Sequence, residues 1–251
     1  MNYPENYINQ IIQGNCIEII KEIPNNLIDL IFTDPPYVLD WKDPIKFKER
    51  KDIFHHKLET EKWDCGDINQ LYLDIASEFN RVLKEGGSVL IFCRVENISY
   101  VKKIFIENGF FYKATIMWHK KNPAPQVRKK NYVSSYETLC WLVKGFDEDK
   151  IRYTFNFKTQ NEMHNFIEMP ICMGKERTDH PTQKPIKLIK HYLEIHSNEN
   201  DLVLDPFIGV GTTALACKMD NRRYIGIEID KRYCEMAEKR IKDYDSQLKL
   251  F

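Results

Sequence analysis

An apolar run in this sequence ends on a carboxylate that is followed by two prolines and an aromatic ring, in the segment IFTDPPY at residues 31–37. The Asp34 carboxylate and the Pro35 carbonyl are hydrogen-bond acceptors, and the ring of Tyr37 can stack on a flat ligand. Because proline fixes its backbone φ, Pro35 and Pro36 would hold that carbonyl in place. The spacing predicts a rigid acceptor clamp with an aromatic lid. An aspartate that caps a helix before a Pro-Pro turn is the structural alternative.

A second candidate site lies in the segment LVLDPFIGVGTT. A strand is predicted to end at Asp205, a loop with Gly209 and Gly211 follows, and a helix begins directly after it. Glycines let a ligand approach the backbone, the helix N-terminus offers free N–H groups, and Glu228 after the next strand can bind both ribose hydroxyls. This order predicts a nucleoside-binding half-fold, with an ordinary tight strand–helix turn as the alternative. Ala214 replaces the third glycine of the dinucleotide fingerprint, which disfavours a nicotinamide oxidoreductase and favours a ligand with a carboxylate and a ribose.

Strands that alternate with helices must position these two corners. This alternation predicts a single α/β domain over residues 1–251, with a doubly wound, mostly parallel sheet. Two stretches interrupt it: residues 38–64, with seven Lys/Arg and seven Asp/Glu, and residues 122–179, rich in polar residues. Both are predicted to be long functional loops or a small insert. The predicted strands are 27–34, 88–93, 113–120, 137–144, 201–207 and 223–230, and the predicted helices are 71–84, 98–109, 184–197, 212–220 and 231–244, with the sequence EGG ending the first of these helices.

Composition narrows the class of protein. The 251 residues have a formal net charge of zero and are 43% hydrophobic, which suits a globular protein that has no overall positive field to attract nucleic acid. A local basic patch is compatible with this balance. The seven cysteines form no Cys-x-x-Cys pair, so no metal site is predicted. No apolar signal core or membrane-length run is present, which predicts a cytoplasmic protein without membrane contact.

Five short motifs together resemble those of the amino-methyltransferases of DNA, which use S-adenosylmethionine. The resemblance covers nearly the whole chain. The catalytic corner precedes the cofactor corner, an order similar to the permuted arrangement called the beta class, and the most similar members are short adenine methyltransferases of bacterial restriction–modification systems. The resemblance implies a Rossmann-like methyltransferase fold with circularly permuted motifs. The motifs are GNC at 14–16, TDPPY at 33–37, WHKKNPAP at 118–125, HPTQKP at 180–185 and DPFIGVGTT at 205–213.

The resemblance also implies a set of cofactor contacts. The GNC motif would meet the adenine of S-adenosylmethionine, the two threonines after the glycine loop its methionine carboxylate, and HPTQKP its methionine end. Thr182 is in addition predicted to cap a helix that has Pro185 in its first turn, which is a purely structural alternative for that motif. The cofactor-binding residues predicted in this way are Asn15, Cys16, Asp34, His180, Thr182, Lys184, Asp205, Pro206, Phe207, Gly209, Gly211, Thr212, Thr213 and Glu228.

The resemblance gives the clamp a chemical task. The amine of adenine is a poor nucleophile because its lone pair is delocalised into the ring, and two acceptors aimed at its hydrogens would favour a pyramidal nitrogen. The predicted catalytic residues are therefore Asp34, Pro35, Pro36 and Tyr37, which act on a base flipped out of the duplex. Residues 38–64 would close over it. A cytosine-N4 enzyme, a protein-glutamine methyltransferase and a catalytically silent DNA-binding subunit are the competing functions.

A local basic stretch indicates where double-stranded DNA would bind. Residues 108–136 contain six Lys/Arg and no acid, with aromatic residues interleaved. A solvated loop with core aromatics is the alternative. The polar range 122–179 is the predicted target-recognition region, while a homodimer and a separate restriction endonuclease stay open as partners. The predicted DNA-binding residues are Lys120, Lys121, Arg128, Lys129 and Lys130.

Overall fold

The computed structural model of the chain describes residues 6–36, 68–147 and 149–248. They form one eight-stranded sheet covered by helices on both faces, which confirms the predicted α/β class. The strands are β1 (Gln10–Gln13), β2 (Ile28–Thr33), β3 (Leu83–Cys93), β4 (Phe110–Lys120), β5 (Tyr136–Lys144), β6 (Phe166–Met169), β7 (Leu202–Asp205) and β8 (Arg223–Glu228). The helices are α1 (Cys16–Ile20), α2 (Ile68–Val82), α3 (Ile98–Glu107), α4 (Ile186–His196), α5 (Thr212–Met219) and α6 (Lys231–Leu248).

The sheet is mostly parallel, as predicted, with one antiparallel strand inserted. The strand order is β1-β8-β7-β2-β3-β5-β4-β6. The first five strands run in parallel, β5 is antiparallel to both β3 and β4, and β6 is again parallel to its neighbour β4. The antiparallel direction of β5 brings its first residues, and the loop that joins it to β4, to the edge where β2, β3 and β7 end.

The central strands are buried on both faces, which explains their continuous apolar runs. Side chains alternate across the sheet along β2. Ile31 belongs to the core cluster that includes Phe79 of α2, whereas Phe32 belongs to the other cluster, which includes Leu188 of α4. The two helical layers therefore bury the last four residues of β2, and the partly exposed Asp34 follows directly after its end.

The chain departs in opposite directions from the two strands at the centre of the sheet. It passes from β2 through α2 to β3 on one side, and from β7 through α5 to β8 on the other. β2 and β7 are themselves paired, with Leu30 opposite Val203 and Ile31 opposite Leu204. A reversal of this kind leaves a crevice outside the carboxyl ends of the two strands, where open α/β sheets bind their ligands.

Several local predictions differ from the structure. The EGG sequence was predicted to separate α2 from a strand at 88–93, but α2 ends at Val82 and β3 begins at Leu83. The extra residues fit into the strand because its register against β2 shifts between Ile28 and Leu30. The sequence patterns did not predict β1, α1 or β6, which have only four or five residues each and no clear periodicity.

The range 122–179 is divided among several structural elements. It contains β5 in the middle of the sheet and β6 at its edge. The Phe155 ring stacks on Trp141 with centroids 4.9 Å apart, and the Asn156 amide donates to the carbonyl of Ile195 in α4 at 2.8 Å. Much of this range therefore belongs to the body of the fold, and the loop at 121–135 is the part that projects from the carboxyl edge. Within the described residues, we find no helix with the length and apolar character needed to cross a bilayer.

Candidate functional site

A cavity of about 430 Å³ opens at the carboxyl ends of β2 and β7. It is bounded by the segment between β1 and α1, the end of β2, the segment before α4, the loop between β7 and α5, and the end of β8. The structure thus brings together motifs that are up to 213 positions apart in the sequence, from residue 15 to residue 228. The predicted residues that line the cavity are Asn15, Cys16, Asp34, Pro35, Pro36, His180, Thr182, Lys184, Asp205, Pro206, Phe207, Gly209, Thr212, Thr213 and Glu228.

Glu228 at the end of β8 braces the glycine loop. Its carboxylate accepts hydrogen bonds from the backbone amides of Gly209 and Asp230, at 2.9 and 2.8 Å. Burial raises the pKa of Glu228, and these amide donors partly offset that effect. The carboxylate therefore lies at the cavity wall in a geometry set by backbone groups, where it can accept further hydrogen bonds from ligand hydroxyls.

The two loop glycines serve different purposes. Both have positive φ, 53° at Gly209 and 75° at Gly211, a conformation that glycine adopts at no steric cost. Gly209 lines the cavity, and a Cβ there would stand 3.3 Å from His180 Nε2. Gly211 does not line the cavity, and a Cβ there would come within 2.7 Å of Ala237 Cβ in α6. Gly211 therefore allows close packing of α5 against α6, and its approach to a ligand stays a prediction.

Asp205 links the two corners of the site. Its Oδ1 accepts from the Thr33 hydroxyl at 3.0 Å and from the Phe207 amide at 3.1 Å, and its Oδ2 accepts from the Thr213 hydroxyl at 2.6 Å. Burial raises the pKa of Asp205 to about 7, despite these donors. Asp205 and Thr213 line the cavity, but the contacts of this carboxylate hold β2, the glycine loop and α5 together.

The buried Asp205 carboxyl makes a testable prediction about stability. A carboxyl whose folded-state pKa is raised binds protons in the folded state at a pH where the unfolded chain has lost them, so the free energy of unfolding falls as pH rises from about 4 to about 7. Asp205→Asn removes this titration and keeps the size of the side chain. As pH rises from 5 to 8, the free energy of unfolding of the variant should increase relative to that of the parent by about 1–3 kcal/mol, since one pKa unit corresponds to about 1.4 kcal/mol.

Urea unfolding of both proteins at the two pH values measures this difference. Asp230→Asn is a suitable control, because hydrogen bonds from Arg232 lower the pKa of Asp230 and its carboxyl is ionised in both states above pH 5. The control should show no relative change between the two pH values. Equal behaviour of the Asp205 and Asp230 variants would show that Asp205 is ionised throughout.

The segment before α1 forms another wall of the cavity. Asn15 is the N-cap of α1, and its side-chain oxygen accepts from the Ile17 amide at 2.9 Å. Burial raises the pKa of the Cys16 thiol to about 12, so this side chain is a neutral, weakly polar part of the wall. The local fold thus uses Asn15 as a helix cap and still exposes it to the cavity.

The HPTQKP motif is an ordered turn, and it does not begin the helix as predicted. α4 starts at Ile186 with Pro185 at its N-cap, so Thr182 is not the cap and Pro185 is not in the first turn. Glu176 instead satisfies the helix start, by accepting from the Ile186 amide at 2.6 Å. Thr182 and His180 face the cavity, and the His180 ring lies 4.7 Å from that of Tyr233.

Side chains of alternating charge form a row that begins at Asp34, directly after the end of β2. Lys184 Nζ donates to Asp34 Oδ2 and lies 3.1 Å from Glu137 Oε2. Lys120 Nζ lies 2.7 Å from the other oxygen of Glu137. Lys184 was predicted at the methionine end of the cofactor, and the structure shows its ammonium against the Asp34 carboxylate.

The predicted DNA-binding residues separate into two groups. Lys120 is only 16% exposed and belongs to the charge row through Glu137. Lys121, Arg128, Lys129 and Lys130 are exposed on or beside the loop at 121–135. Among the interleaved aromatic residues Phe110 and Trp118 are core side chains, whereas Tyr132 in the same loop is 93% exposed. Tyr37 and the predicted closing loop at 38–64 lie outside the described residues.

Sequence patterns missed several residues of the site. Glu137 opens a predicted apolar strand and carries no motif of its own, and Thr33 belongs to the TDPPY motif but is not among the predicted site residues. Tyr233 and Ile229, which also line the cavity, follow Glu228 too closely to show a separate pattern. A charged residue at the start of an otherwise apolar strand was the available signal for Glu137.

Comparison with known proteins gives consistent matches over nearly the whole chain. The model of a protein family described as DNA methylase matches residues 28–239. The Type II methyltransferase M.HinfI of Haemophilus influenzae is 33% identical over 257 residues, which cover 94% of this chain and 69% of the relative. The Type II methyltransferase M2.MboI of Moraxella bovis is 31% identical over 251 residues, which cover 95% of this chain and 89% of the relative.

Solved structures agree with the sequence matches. The crystal structure of the M1.HpyAVI–SAM complex is 34% identical, has a TM-score of 0.72, and covers 92% of this chain and 98% of its own. The PvuII DNA methyltransferase, described as cytosine-N4-specific, has a TM-score of 0.70 at 20% identity. The match covers 93% of this chain and 89% of that structure. At that identity the likeness concerns the fold alone.

Proposed function

This chain belongs to the N6/N4 DNA methylase family whose model matches residues 28–239, and from that premise we propose that it methylates the exocyclic amine of adenine within a short sequence of double-stranded DNA. The observation that carries this proposal is the position of Asp34. It opens the DPPY corner at the end of β2 and shares one cavity with the glycine loop and Glu228. An acceptor for an amine and a site for a nucleoside-containing cofactor are thus adjacent.

The cofactor of this family of restriction–modification DNA methyltransferases is S-adenosylmethionine, and the cavity fits it. A volume of about 430 Å³ is within the usual range of small-molecule sites, roughly 300–1,000 Å³. We propose that Glu228 accepts from the ribose hydroxyls, that Asn15 and Cys16 border the adenine, and that Gly209 lets the ligand reach the start of α5. When bound, the cofactor supplies a sulfonium methyl group that a nitrogen nucleophile can take.

The proposed chemistry needs no covalent attachment to the protein. Asp34 and the Pro35 carbonyl would accept hydrogen bonds from the target amine, and its nitrogen lone pair would form the new N–C bond as the S–C bond breaks. The bonding pair stays with sulfur, and the nitrogen then loses its extra proton to water. Catalysis would consist of positioning and electrostatic stabilisation. The target base would leave the duplex to reach the cavity, since an amine inside a base pair cannot approach Asp34.

The competing function is transfer to the N4 amine of cytosine. The fold likeness to a cytosine-N4-specific enzyme means that the architecture serves either amine. Asp34 at the first position of the corner favours adenine, because the cytosine enzymes more often have serine there. Digestion of DNA treated with the protein and S-adenosylmethionine, followed by mass spectrometry of the nucleosides, distinguishes the two. We expect N6-methyladenine, and 4-methylcytosine as the main product would overturn the assignment.

We also propose that the loop at 121–135 contacts the DNA backbone. It joins β4 to β5 at the carboxyl edge of the sheet, the edge that carries the cavity. Its basic side chains at 128–130 are exposed, and Tyr132 is exposed beside them. Lysine and arginine on such an edge can bind phosphates although the whole chain has no net charge.

Neutralising this loop should weaken binding of DNA without regard to sequence. In the triple variant Arg128→Gln, Lys129→Gln and Lys130→Gln, the slope of log affinity against log salt should shrink by up to about three units, because each lost phosphate contact removes about 0.9. Fluorescence anisotropy at several salt concentrations measures this slope. A control variant with Lys21, Lys103 and Lys150 changed to Gln alters three exposed lysines outside the loop and should keep the parent slope. Equal slopes in all three proteins would make the loop an ordinary solvated surface.

A further inference from the structure

Four charged side chains of alternating sign form a continuous row beside the cavity. The order is Asp34, Lys184, Glu137 and Lys120. Lys184 Nζ contacts Asp34 Oδ2 and lies 3.1 Å from Glu137 Oε2, and Lys120 Nζ lies 2.7 Å from Glu137 Oε1. Two carboxylates and two ammonium groups balance, so the row has no net charge. Only the first of its members belongs to the predicted catalytic corner.

The centre of the row is largely shielded from solvent, Lys184 more than Glu137. The Lys184 side chain is only 6% exposed, and its ammonium lies 4.7 Å from the centroid of the Phe92 ring. Burial would lower the pKa of Lys184, but Asp34 and Glu137 more than offset this and raise it. Burial would likewise raise the pKa of Glu137, but Lys184 and Lys120 lower it. Both inner groups are therefore charged, and each depends on its neighbours to remain so.

The row is anchored in the sheet at its far end. Glu137 is in β5, where it pairs with Trp118 of β4, and Lys120 follows two residues later in β4. Thr138 next to Glu137 is buried and donates to the Cys93 carbonyl of β3 at 2.6 Å. Lys184, by contrast, precedes α4 and reaches across to the end of β2 on a long, flexible side chain. Glu137 is thus the rigid point from which Lys184 is held.

We propose that Glu137, acting through Lys184, is a positioning residue for Asp34 in methyl transfer. The ammonium of Lys184 fixes the torsion of the Asp34 carboxylate through Oδ2 and so sets the direction of its acceptor lone pairs. Its charge also favours the ionised carboxylate, which accepts hydrogen bonds, over the protonated acid, which donates one. Glu137 holds that ammonium at the required distance. This inference rests on the proposed function, in which Asp34 accepts a hydrogen bond from the target amine.

Glu137→Gln tests the inference directly. Loss of this anion removes the contact that ties the Lys184 ammonium to β5, so the Asp34 carboxylate is held less firmly in its direction. We expect kcat to fall about 10- to 100-fold, the scale of small misplacements at a reacting centre. The KM for DNA and the Kd for S-adenosylmethionine should change less than about threefold, because Glu137 does not line the cavity. Steady-state methylation at varied DNA concentration supplies kcat and KM, and calorimetry supplies the Kd.

Glu168→Gln is the matched control. Glu168 is a carboxylate in β6 at the same edge of the sheet, where it pairs with His119 of β4 at 3.1 Å, and none of its contacts involves the row. It should keep the parent kcat. A second arm places Glu137→Gln in an Asp34→Asn background. If Glu137 acts through Asp34, Glu137→Gln should lower kcat little further in the Asp34→Asn background. The fold-losses of the two single variants should then not multiply in the double variant.

The outcomes separate the inference from the proposed function. Full kcat in Glu137→Gln, or equal fold-losses in the parent and Asp34→Asn backgrounds, overturns the positioning role and leaves the function of Asp34 intact. Full activity in Asp34→Ala overturns the proposed function itself. If Glu137→Gln fails to fold, Glu137→Gln with Lys120→Gln removes one charge of each sign, and the same criteria apply to it.

Discussion

Replacing Asp34 with alanine should reduce the rate of methyl transfer at least about a hundredfold, because the loss of one aligned polar group from a preorganised site typically costs this much or more. The fold should survive the change. Asp34 follows the end of β2, is partly exposed, and is not part of either core cluster. Lys184 keeps a carboxylate partner in Glu137, so the substitution does not leave a buried cation without an anion.

The affinity for S-adenosylmethionine provides the internal comparison. Asp34 borders the cavity but lies outside the glycine loop and β8, so calorimetry should give a Kd close to that of the parent. Asp34→Asn is the sharper variant, since it keeps the size and one acceptor oxygen and removes the charge. Retained activity there would mean that hydrogen bonding suffices without charge. Undiminished activity in Asp34→Ala would exclude Asp34 from catalysis.

Glu228→Ala should weaken binding of S-adenosylmethionine by about 1–3 kcal/mol, the scale of a hydrogen bond to a charged group, or roughly 5- to 150-fold in Kd. Two losses contribute to this effect. The proposed acceptor for the ribose hydroxyls disappears, and the amides of Gly209 and Asp230 lose the carboxylate that holds them. Both changes occur at the cavity wall, so the affinity for the cofactor should fall more than the affinity for DNA.

Titration calorimetry of Glu228→Ala with the cofactor measures the loss, and Glu235→Ala serves as its control. Glu235 is an exposed carboxylate in α6 that forms an ion pair with Lys231, with no part in the cavity. It should bind the cofactor as the parent does. An unchanged Kd in Glu228→Ala would remove this residue from the proposed cofactor site.

Local sequence patterns predicted the ends of the strands that carry the site and did not predict the contacts between them. Asp34 and Asp205 end apolar runs, and such runs indicate buried strands whose carboxyl ends meet at one edge. The partner of Lys184 could not be found in this way. Its contact with Glu137 depends on β5 entering the sheet antiparallel between β3 and β4, which is a long-range choice of register. The same limit applies to Gly211, whose lack of a side chain is required by Ala237 of α6.

The helix start at α4 illustrates a different limit. Thr182 has the residue type and spacing of an N-cap, but the Glu176 carboxylate, ten residues before Ile186 in the sequence, accepts from the first amide of the helix. Gln183, buried between Thr178 and the Glu176 carbonyl, shapes the intervening turn. Because the turn folds back on itself, Glu176 takes the place of Thr182 as the acceptor. The sequence alone does not show this contact.

The hydrogen bond between Thr33 and Asp205 bears on how such a protein can be rearranged by evolution. It joins two corners that lie 172 residues apart in the chain but on paired strands, β2 and β7. Lateral pairing of these strands, and not their order of synthesis, creates the contact. A gene in which the segments were joined in another order would encode the same neighbours and the same crevice, provided that the new ends stayed at the surface. The chemistry therefore does not depend on which of the two corners comes first in the sequence. The order of the motifs in this chain reflects the history of its gene and is not required by the geometry of the site.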